Sequence, residues 1–351
     1  MPRKYNLAVF IGRFQPFHNG HIKNIEKGLE VADNVLVLLG SANQPRTIKN
    51  PFTTEERELM LCSCFPEEVL HRIFIQPVRD YLYQDNAWIK EVQDRVEFMQ
   101  GQVAKSDNYN IAILGYEKDE SSYYLRAFPT WDFVDTGTYA EVAGQVIDAT
   151  KIRQLLFEDQ HSYIKGVVHP NVFGFLTEKF TKTDDYRHLK GEYDFIKEYK
   201  KQWEASPYPP IFFTLDAVVV QGGHILLIKR KASPGKGLWA LPGGFIQPNE
   251  TALDGMIREL REETRLKVPT PVLKGSIKKE MVFDAPGRSL RGRTITYAFY
   301  MQLDNATKLP AVRGSDDAAE ARWFKISEVL EASDTLYEDH HSIISMMTGL
   351  Q

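Results

Sequence analysis

Short apolar runs alternate with segments of helical period along the first half of the chain. Asn6 to Ile11 is an apolar run that stops at Gly12, as a strand buried on both faces does. From His21 to Val31 the apolar residues Ile22, Ile25 and Leu29 recur at helical spacing. Asn34 to Leu39 is a second apolar strand, ending at Gly40-Ser41. Thr53-Thr54-Glu55-Glu56 then opens a further helix with a capping-type sequence. Arg72 to Ile75 and Ile111 to Leu114 read as additional strands. Strands separated by helices predict an α/β, doubly wound, Rossmann-like domain over residues 1–182.

The pattern then changes. Asp184 to Glu204 is highly charged and helix-compatible, and Ala205-Ser206-Pro207-Tyr208-Pro209-Pro210 halts regular structure. Residues 183–207 are therefore predicted as a helical, proline-rich linker. In residues 208–351, Ile211 to Val220 and Ile225 to Ile228 flank Gln221-Gly222-Gly223-His224, a hairpin signal. Glu250 to Arg265 is a well-marked helix, so this second domain is expected to be α+β. No internal repeat links the halves.

Composition narrows the function class. At 351 residues the chain is long enough for two cores, and its 43% apolar and 26% charged fractions are those of an ordinary globular protein. A net charge of −4 disfavours nucleic acid as a partner. Small phosphorylated ligands need only local positive charge and oriented amides. Cys62 and Cys64 stand alone in a C-x-C spacing, too close for an unstrained disulfide and without companions for zinc. No apolar run reaches membrane-spanning length, so no membrane role and a cytoplasmic location are expected. Homo-oligomerisation is left open.

Chemistry concentrates first at Gly12-Arg13-Phe14-Gln15-Pro16-Phe17-His18-Asn19-Gly20-His21. A glycine after a strand lets the backbone turn sharply toward a phosphate. His18 and His21 fall where the next helix begins, and imidazoles there add donors to a helix end that already favours anions. The stretch resembles the G-R-F-x-P-x-H-x-G-H motif of the nucleotidylyltransferase superfamily. Arg46-Thr47, Asn50-Pro51-Phe52-Thr53, Glu56-Arg57 and the run from Asp80 to Trp88 resemble the archaeal type of nicotinamide-mononucleotide (NMN) adenylyltransferase. The resemblance implies that Gly12, Arg13, Phe14, His18, His21, Arg46, Asn50, Arg57 and Trp88 bind ATP or NMN, Trp88 by stacking. Trp88 can equally be a helix core residue. Ile147-Asp148-Ala149-Thr150-Lys151-Ile152-Arg153 resembles that family's second phosphate motif, with Thr150 and Arg153 on the triphosphate. Asp148 replaces the usual serine; it can still cap a helix, but its charge disfavours phosphate contact.

The second concentration runs from Gly244 to Leu266. On a helix, Glu259, Glu262 and Glu263 stand at i, i+3 and i+4, so three carboxylates share one face. Like charges so placed call for a hard cation, Mg²⁺ or Mn²⁺. A solvated acidic helix is the alternative, but Gly244, Glu250 and Arg258 stand in register with the acids. The run resembles the Nudix box, with Leu238 to Gly244 as its lead-in, and the resemblance implies Gly244, Glu259, Glu262 and Glu263 as metal ligands with Arg258 orienting them. Arg265 occupies a position that is normally glycine; in a left-handed conformation it would cost about 1 kcal/mol. Phe283 to Thr294 resembles the branch with ADP-ribose pyrophosphatases and NAD-responsive relatives. Arg288, Arg291 and Arg293 either grip substrate there or form a solvated loop. Asp316, Asp317 and Glu320 are equal candidates for one further acid.

Together the halves resemble the bifunctional NMN adenylyltransferase/Nudix hydrolases. The resemblance implies catalysis by His18, His21 and Arg153 on one side and by Glu259, Glu262 and Glu263 on the other. The implied partners are ATP, NMN, NAD and ADP-ribose, with Mg²⁺ carried by ATP and Mg²⁺ or Mn²⁺ at the Nudix acids. A Nudix half that only senses ADP-ribose or NAD, or cleaves another nucleoside diphosphate derivative, is the alternative.

Overall fold

The computed structural model describes residues 3–103, 109–116, 124–137, 141–142, 145–146 and 148–350. They form two compact units, 1–190 and 191–351. In the first, β1 (Tyr5–Gly12), α1 (Asn19–Val31) and β2 (Ala32–Leu39) are followed by α2 (Thr54–Cys62), α3 (Glu67–Leu70) and β3 (Ile73–Pro77). Next come α4 (Asp85–Val103), β4 (Ile111–Gly115), β5 (Asp132–Asp135), the ribbon β6 (Glu141–Val142) and β7 (Gln145–Val146), α5 (Ala149–Phe157) and α6 (Pro170–Gly174). The main sheet has the order β3-β2-β1-β4-β5 with every neighbouring pair parallel. Such a sheet is apolar on both faces, which is why β1 and β2 read as near-continuous apolar runs. The chain leaves β1 toward β2 on one side and later adds β4 on the other. Crevices at the carboxyl ends of strands at such a switch are where ligands enter.

The helix starts are locally encoded. Thr53 accepts from the Glu56 amide at 3.2 Å, and Glu56 accepts from the Thr53 amide at 2.9 Å, closing the expected capping box. Residues expected to form a linker are mostly α7 (Asp184–Lys201), with acids in its first turn and lysines in its last, matching the helix dipole. The division between units falls inside this helix.

The second unit holds β8 (Ile211–Gln221), β9 (His224–Arg230), β10 (Trp239–Ala240), β11 (Gly243–Phe245), α8 (Ala252–Thr264) and α9 (Thr270–Gly275). It continues with β12 (Ile277–Phe283), β13 (Arg293–Gln302), β14 (Ala318–Lys325), α10 (Ile326–Glu331) and α11 (His340–Thr348). The sheet order is β10-β9-β8-β13-β12, with β11 added to β8 and β14 to β9. β8 and β13 run parallel and the other pairs antiparallel, so the sheet is mixed. Gly222 and Gly223 turn β8 into β9 with both φ angles positive, the geometry a two-residue hairpin loop favours. α8 begins at Ala252 rather than Glu250 because the Thr251 side chain accepts from the Asp254 amide. Its apolar face, Met256, Ile257 and Leu260, packs with Leu215, Ala217, Val219, Phe299 and Met301. The opposite face carries the acids. Among the described residues, no helix is long and apolar enough to cross a membrane.

Candidate active sites

The first site lies where β1 ends and α1 begins. His18 is the N-cap of α1, and the two imidazoles stack with ring centroids 3.6 Å apart. The Gly20 amide donates to His18 Nδ1 and the His18 amide donates to His21 Nδ1, each at 3.2 Å. A ring nitrogen that accepts cannot hold the proton, so each neutral ring carries it on Nε2 as a donor. Burial holds His18 down at about 4, with Asp148 pulling weakly the other way. Burial, then the charge of His18, holds His21 well below its ordinary value. Both are thus neutral N–H donors at neutral pH.

α5 brings the second phosphate motif to this point. Asp148 caps α5 by accepting from the Lys151 amide at 2.8 Å, the role expected of an aspartate there. Arg153 is buried, donating Nη1 to the Gln15 carbonyl at 2.6 Å and Nη2 to Thr150 Oγ1 at 3.1 Å. Burial, then the nearby charge of Arg13, lowers it to about 10. α1 and α5 therefore both bear on the Gly12–His18 loop. Ile147, which opens the motif, lies outside the described residues.

The other sequence candidates are held differently. Arg57 is almost wholly buried and donates to the carbonyls of Arg13 (2.8 Å), Gly40 (2.6 Å), Ser41 and Thr53. It shapes the phosphate loop through its backbone rather than by facing a ligand. Arg46 sits in a two-pronged pair with Glu56 (2.6 and 2.9 Å) and also reaches Asp185. Asn50 keeps a buried side-chain oxygen with no partner among the described residues. Trp88 is partly buried, with Tyr124 and Phe128 rings at 6.2 Å. Gln15, overlooked in the sequence, clamps Phe52 by accepting from its amide and donating to its carbonyl at 2.9 and 2.8 Å. A lone glutamine among Phe14, Pro16 and Phe17 was the available signal.

The second site is the acidic face of α8. Arg258 makes a two-pronged pair with Glu250 (2.7 and 2.9 Å), and its Nη1 also donates to Glu259 (2.8 Å) and Glu262 (2.9 Å). The hydrogen bonds that Arg258 donates to Glu250 are the main cause of its raised pKa, against its burial. Glu263 is buried and accepts from the Gly243 amide at 2.9 Å, yet burial pushes its carboxyl up to about 8. Burial likewise raises Glu259. A side chain at Gly244 would come within 2.7 Å of the Glu259 carboxylate and would have to push it aside. Among the described residues no three acids or imidazoles are already closed into a metal cage. Arg258 stands between Glu250, Glu259 and Glu262 as the counter-charge. Oxygen-only donors, two of them held at raised pKa by burial, fit a hard divalent cation. Arg265 ends α8 at φ 55°, in the left-handed region, and donates to Ser315 Oγ at 2.9 Å.

The three loop arginines have three fates. Arg288 is a buried two-pronged pair with Asp339 (2.8 and 2.7 Å), so it neither grips substrate nor belongs to a solvated loop. Arg293 turns back on Asp284 and closes its own loop. Arg291 lies with its guanidinium carbon 4.9 Å from the Phe245 ring centroid. Of the three candidate acids, Asp316 is the one whose charge acts on Glu259; Glu320 sits at a bulge opposite Lys229 on β9. Asp216, which accepts from Thr296 Oγ1 at 2.6 Å, and His340, which accepts from the Leu241 amide at 2.9 Å, were missed. A lone acid inside the apolar run of β8 was the signal for Asp216.

A loop-and-helix phosphate site on a parallel sheet, followed by an acidic Nudix-type helix on a mixed sheet, defines a nucleotidylyltransferase fused to a Nudix unit. Residues 9–122 match a cytidylyltransferase-like family model and residues 214–346 a NUDIX domain model. The first half is similar to the nicotinamide/nicotinic acid mononucleotide adenylyltransferase of Acinetobacter baylyi, 34% identical over 54% of this chain and 94% of that one. The second is similar to the ADP-ribose pyrophosphatase of Methanocaldococcus jannaschii, 35% identical over 41% of this chain and 76% of that one. A bifunctional NMN adenylyltransferase/ADP ribose pyrophosphatase of Francisella tularensis, crystallised with AMP and a Mn ion, superposes with TM-score 0.87 at 37% identity. It covers 98% of this chain and 99% of its own. The chain belongs to the bifunctional NMN adenylyltransferase/ADP-ribose pyrophosphatase family.

Proposed function

We propose that the first unit joins NMN to the adenylyl group of ATP, giving NAD and pyrophosphate, and that the second hydrolyses ADP-ribose to AMP and ribose 5-phosphate. The observation that carries this reading is the pairing, on one chain, of a phosphate cradle of neutral N–H donors with an acidic helix face. A cytoplasmic setting fits these substrates.

In the first reaction an NMN phosphate oxygen attacks the α-phosphorus of ATP. The bond to the bridging oxygen of the β-phosphate breaks, and pyrophosphate leaves. The attacking phosphate is already ionised at neutral pH, so no protein base is required. His18 and His21 offer Nε2–H groups, the N-termini of α1 and α5 offer amides, and Arg153 with Thr150 holds the charge that moves onto the leaving group. This is catalysis by position and electrostatics, with Mg²⁺ arriving on ATP.

In the second unit Glu259, Glu262 and Glu263, with the Gly244 carbonyl, would hold Mg²⁺ or Mn²⁺. Such an ion supplies a Lewis acid and a more acidic bound water. Arg258 keeps Glu259 and Glu262 on one face, and the Gly243 amide fixes Glu263. Asp316 adds acidic charge beside Glu259.

Chromatography of products from NMN plus ATP and, separately, from ADP-ribose with each metal tests both halves. It is run on the natural protein, His18→Ala and Glu263→Gln. Each substitution should silence one reaction and spare the other. Loss of both from either would refute independent sites, and ADP-ribose bound without AMP release would refute the hydrolase.

A further inference from the structure

The chain changes sheet partner just ahead of the metal-binding residues. Trp239 and Ala240 of β10 pair with β9, whereas Gly243 and Gly244 of β11 pair with Asp216 and Leu215 of β8. Leu241 and Pro242 cross between these two ladders. Pro242 has no amide, and its carbonyl accepts from the Ala217 amide at 2.8 Å. Leu241 is buried, so its amide needs an acceptor from outside the ladders. His340 Nδ1, on α11 and 99 residues further along the chain, accepts it at 2.9 Å.

His340 is itself held from several sides. Its buried ring meets Tyr337 edge-on at 5.5 Å and 69°, and the Tyr337 amide donates to the Trp239 carbonyl at 2.8 Å. Asp339, the preceding residue, is locked in its two-pronged pair with Arg288. Burial, against the pull of Asp339, and then the charges of Arg288, Arg230 and Arg291 hold His340 down to about 3. The ring is therefore neutral with its proton on Nε2, and Nδ1 stays an acceptor. Two residues past Leu241, the Gly243 amide donates to Glu263, and Gly244 follows directly. Little slack separates these points. Pro242 is stiff, and a Cβ on Gly243 would stand 2.1 Å from the Leu215 carbonyl oxygen.

We infer that His340 is a positioning residue for the metal centre of the second unit. By holding the Leu241 amide, it sets where the Gly243 amide meets Glu263 and where the Gly244 carbonyl stands. This rests on the metal reading above. An apolar side chain could fill the same space, but it would leave the buried Leu241 amide unpaired.

The test is Mn²⁺ binding to the full chain without substrate, read by electron paramagnetic resonance. The Mn²⁺ concentration for half-maximal ADP-ribose hydrolysis is measured beside it. Binding that Glu263→Gln removes defines the site, and adenylyl transfer and melting temperature are controls on folding. His340→Leu should weaken Mn²⁺ binding about 10- to 100-fold, the scale of losing a group that orients metal ligands. The half-maximal concentration should rise with it, whereas a general loss of folded protein would lower the rate without moving that concentration. His340→Asn, whose side-chain oxygen stands where Nδ1 stood, should bind Mn²⁺ within about threefold of the natural protein. His340→Gln places its amide where Nε2 stood and should not rescue; it carries the test if His340→Leu does not fold. Natural affinity in His340→Leu or His340→Gln, or equal losses in all three variants, would overturn the inference. A natural protein without Glu263-dependent Mn²⁺ binding sinks the metal reading instead. Hydrogen exchange at the Gly243 amide then decides the role of His340, and protection unchanged in His340→Leu or His340→Gln overturns it.

Discussion

The two sites handle phosphates with opposite electrostatics. At the first, burial strips the charge from His18 and His21 and lowers Arg153 to about 10, leaving a cradle of N–H donors and restrained cations. At the second, burial pushes Glu263 up to about 8 and raises Glu259, while hydrogen bonds to Glu250 first, then to Glu259 and Glu262, raise Arg258. The difference follows the nucleophile. A phosphate that is already anionic needs only alignment and charge stabilisation, and donors supply both. Water is a poor nucleophile at neutral pH and needs a metal ion, which in turn needs carboxylates. Burial thus serves opposite ends: it keeps bases neutral in one place and primes acids for a cation in the other.

The sharpest way to break this contrast is to remove one charge type at a time. Glu263→Gln should cut ADP-ribose hydrolysis on the order of 10³-fold, because a metal ligand is worth several kcal/mol at the transition state. His18→Ala should cut adenylyl transfer about 10²- to 10³-fold, the usual loss for one oxyanion donor. In each variant the other rate should hold. Next in size, Arg288→Ala should destabilise the second unit by roughly 3–5 kcal/mol in denaturant unfolding, since it strands the buried Asp339 carboxylate. If Arg288 instead grips substrate, KM will rise while stability stays.

A smaller effect concerns pH. His18 titrates near 4 when folded, below its ordinary 6.5, so the unfolded chain binds more protons between those values. Stability contributed by the neutral ring is full above 6.5 and is lost as pH falls toward 4. The melting temperature of the first unit should drop across that window, and less so in His18→Gln. Smallest of all, Arg265→Gly relieves a left-handed arginine but loses the Ser315 hydrogen bond. Melting should show a gain below about 1 kcal/mol, with hydrolysis unchanged.

Legibility in the sequence depended on how local the cause was. The parallel sheet was readable because strands buried on both faces must be apolar throughout, as β1 and β2 are. The cap at Thr53 and the turn at Gly222-Gly223 were readable because each is settled within a few residues. The strands β12, β13 and β14 were not separately placed, because a mixed sheet half open to solvent leaves a weaker pattern. Arg57 read as a nucleotide-binding residue, and Arg288 as either substrate-gripping or part of a solvated loop, because nothing local distinguishes an arginine facing a ligand from one facing carbonyls or a buried acid. Their partners lie 44 residues away at Arg13 and 51 away at Asp339.

By itself the sequence determined the two chemistries, since both depend on residue types at short spacings along one turn or one helix face. It also determined the α/β and α+β character of the halves, through the period of their apolar positions. Only the tertiary structure decided which charged residues are free to act. A charge becomes scaffold or tool according to what distant strands and loops place against it, as the pairing of Arg288 with Asp339 shows. Those contacts are long-range, and no local pattern carries them.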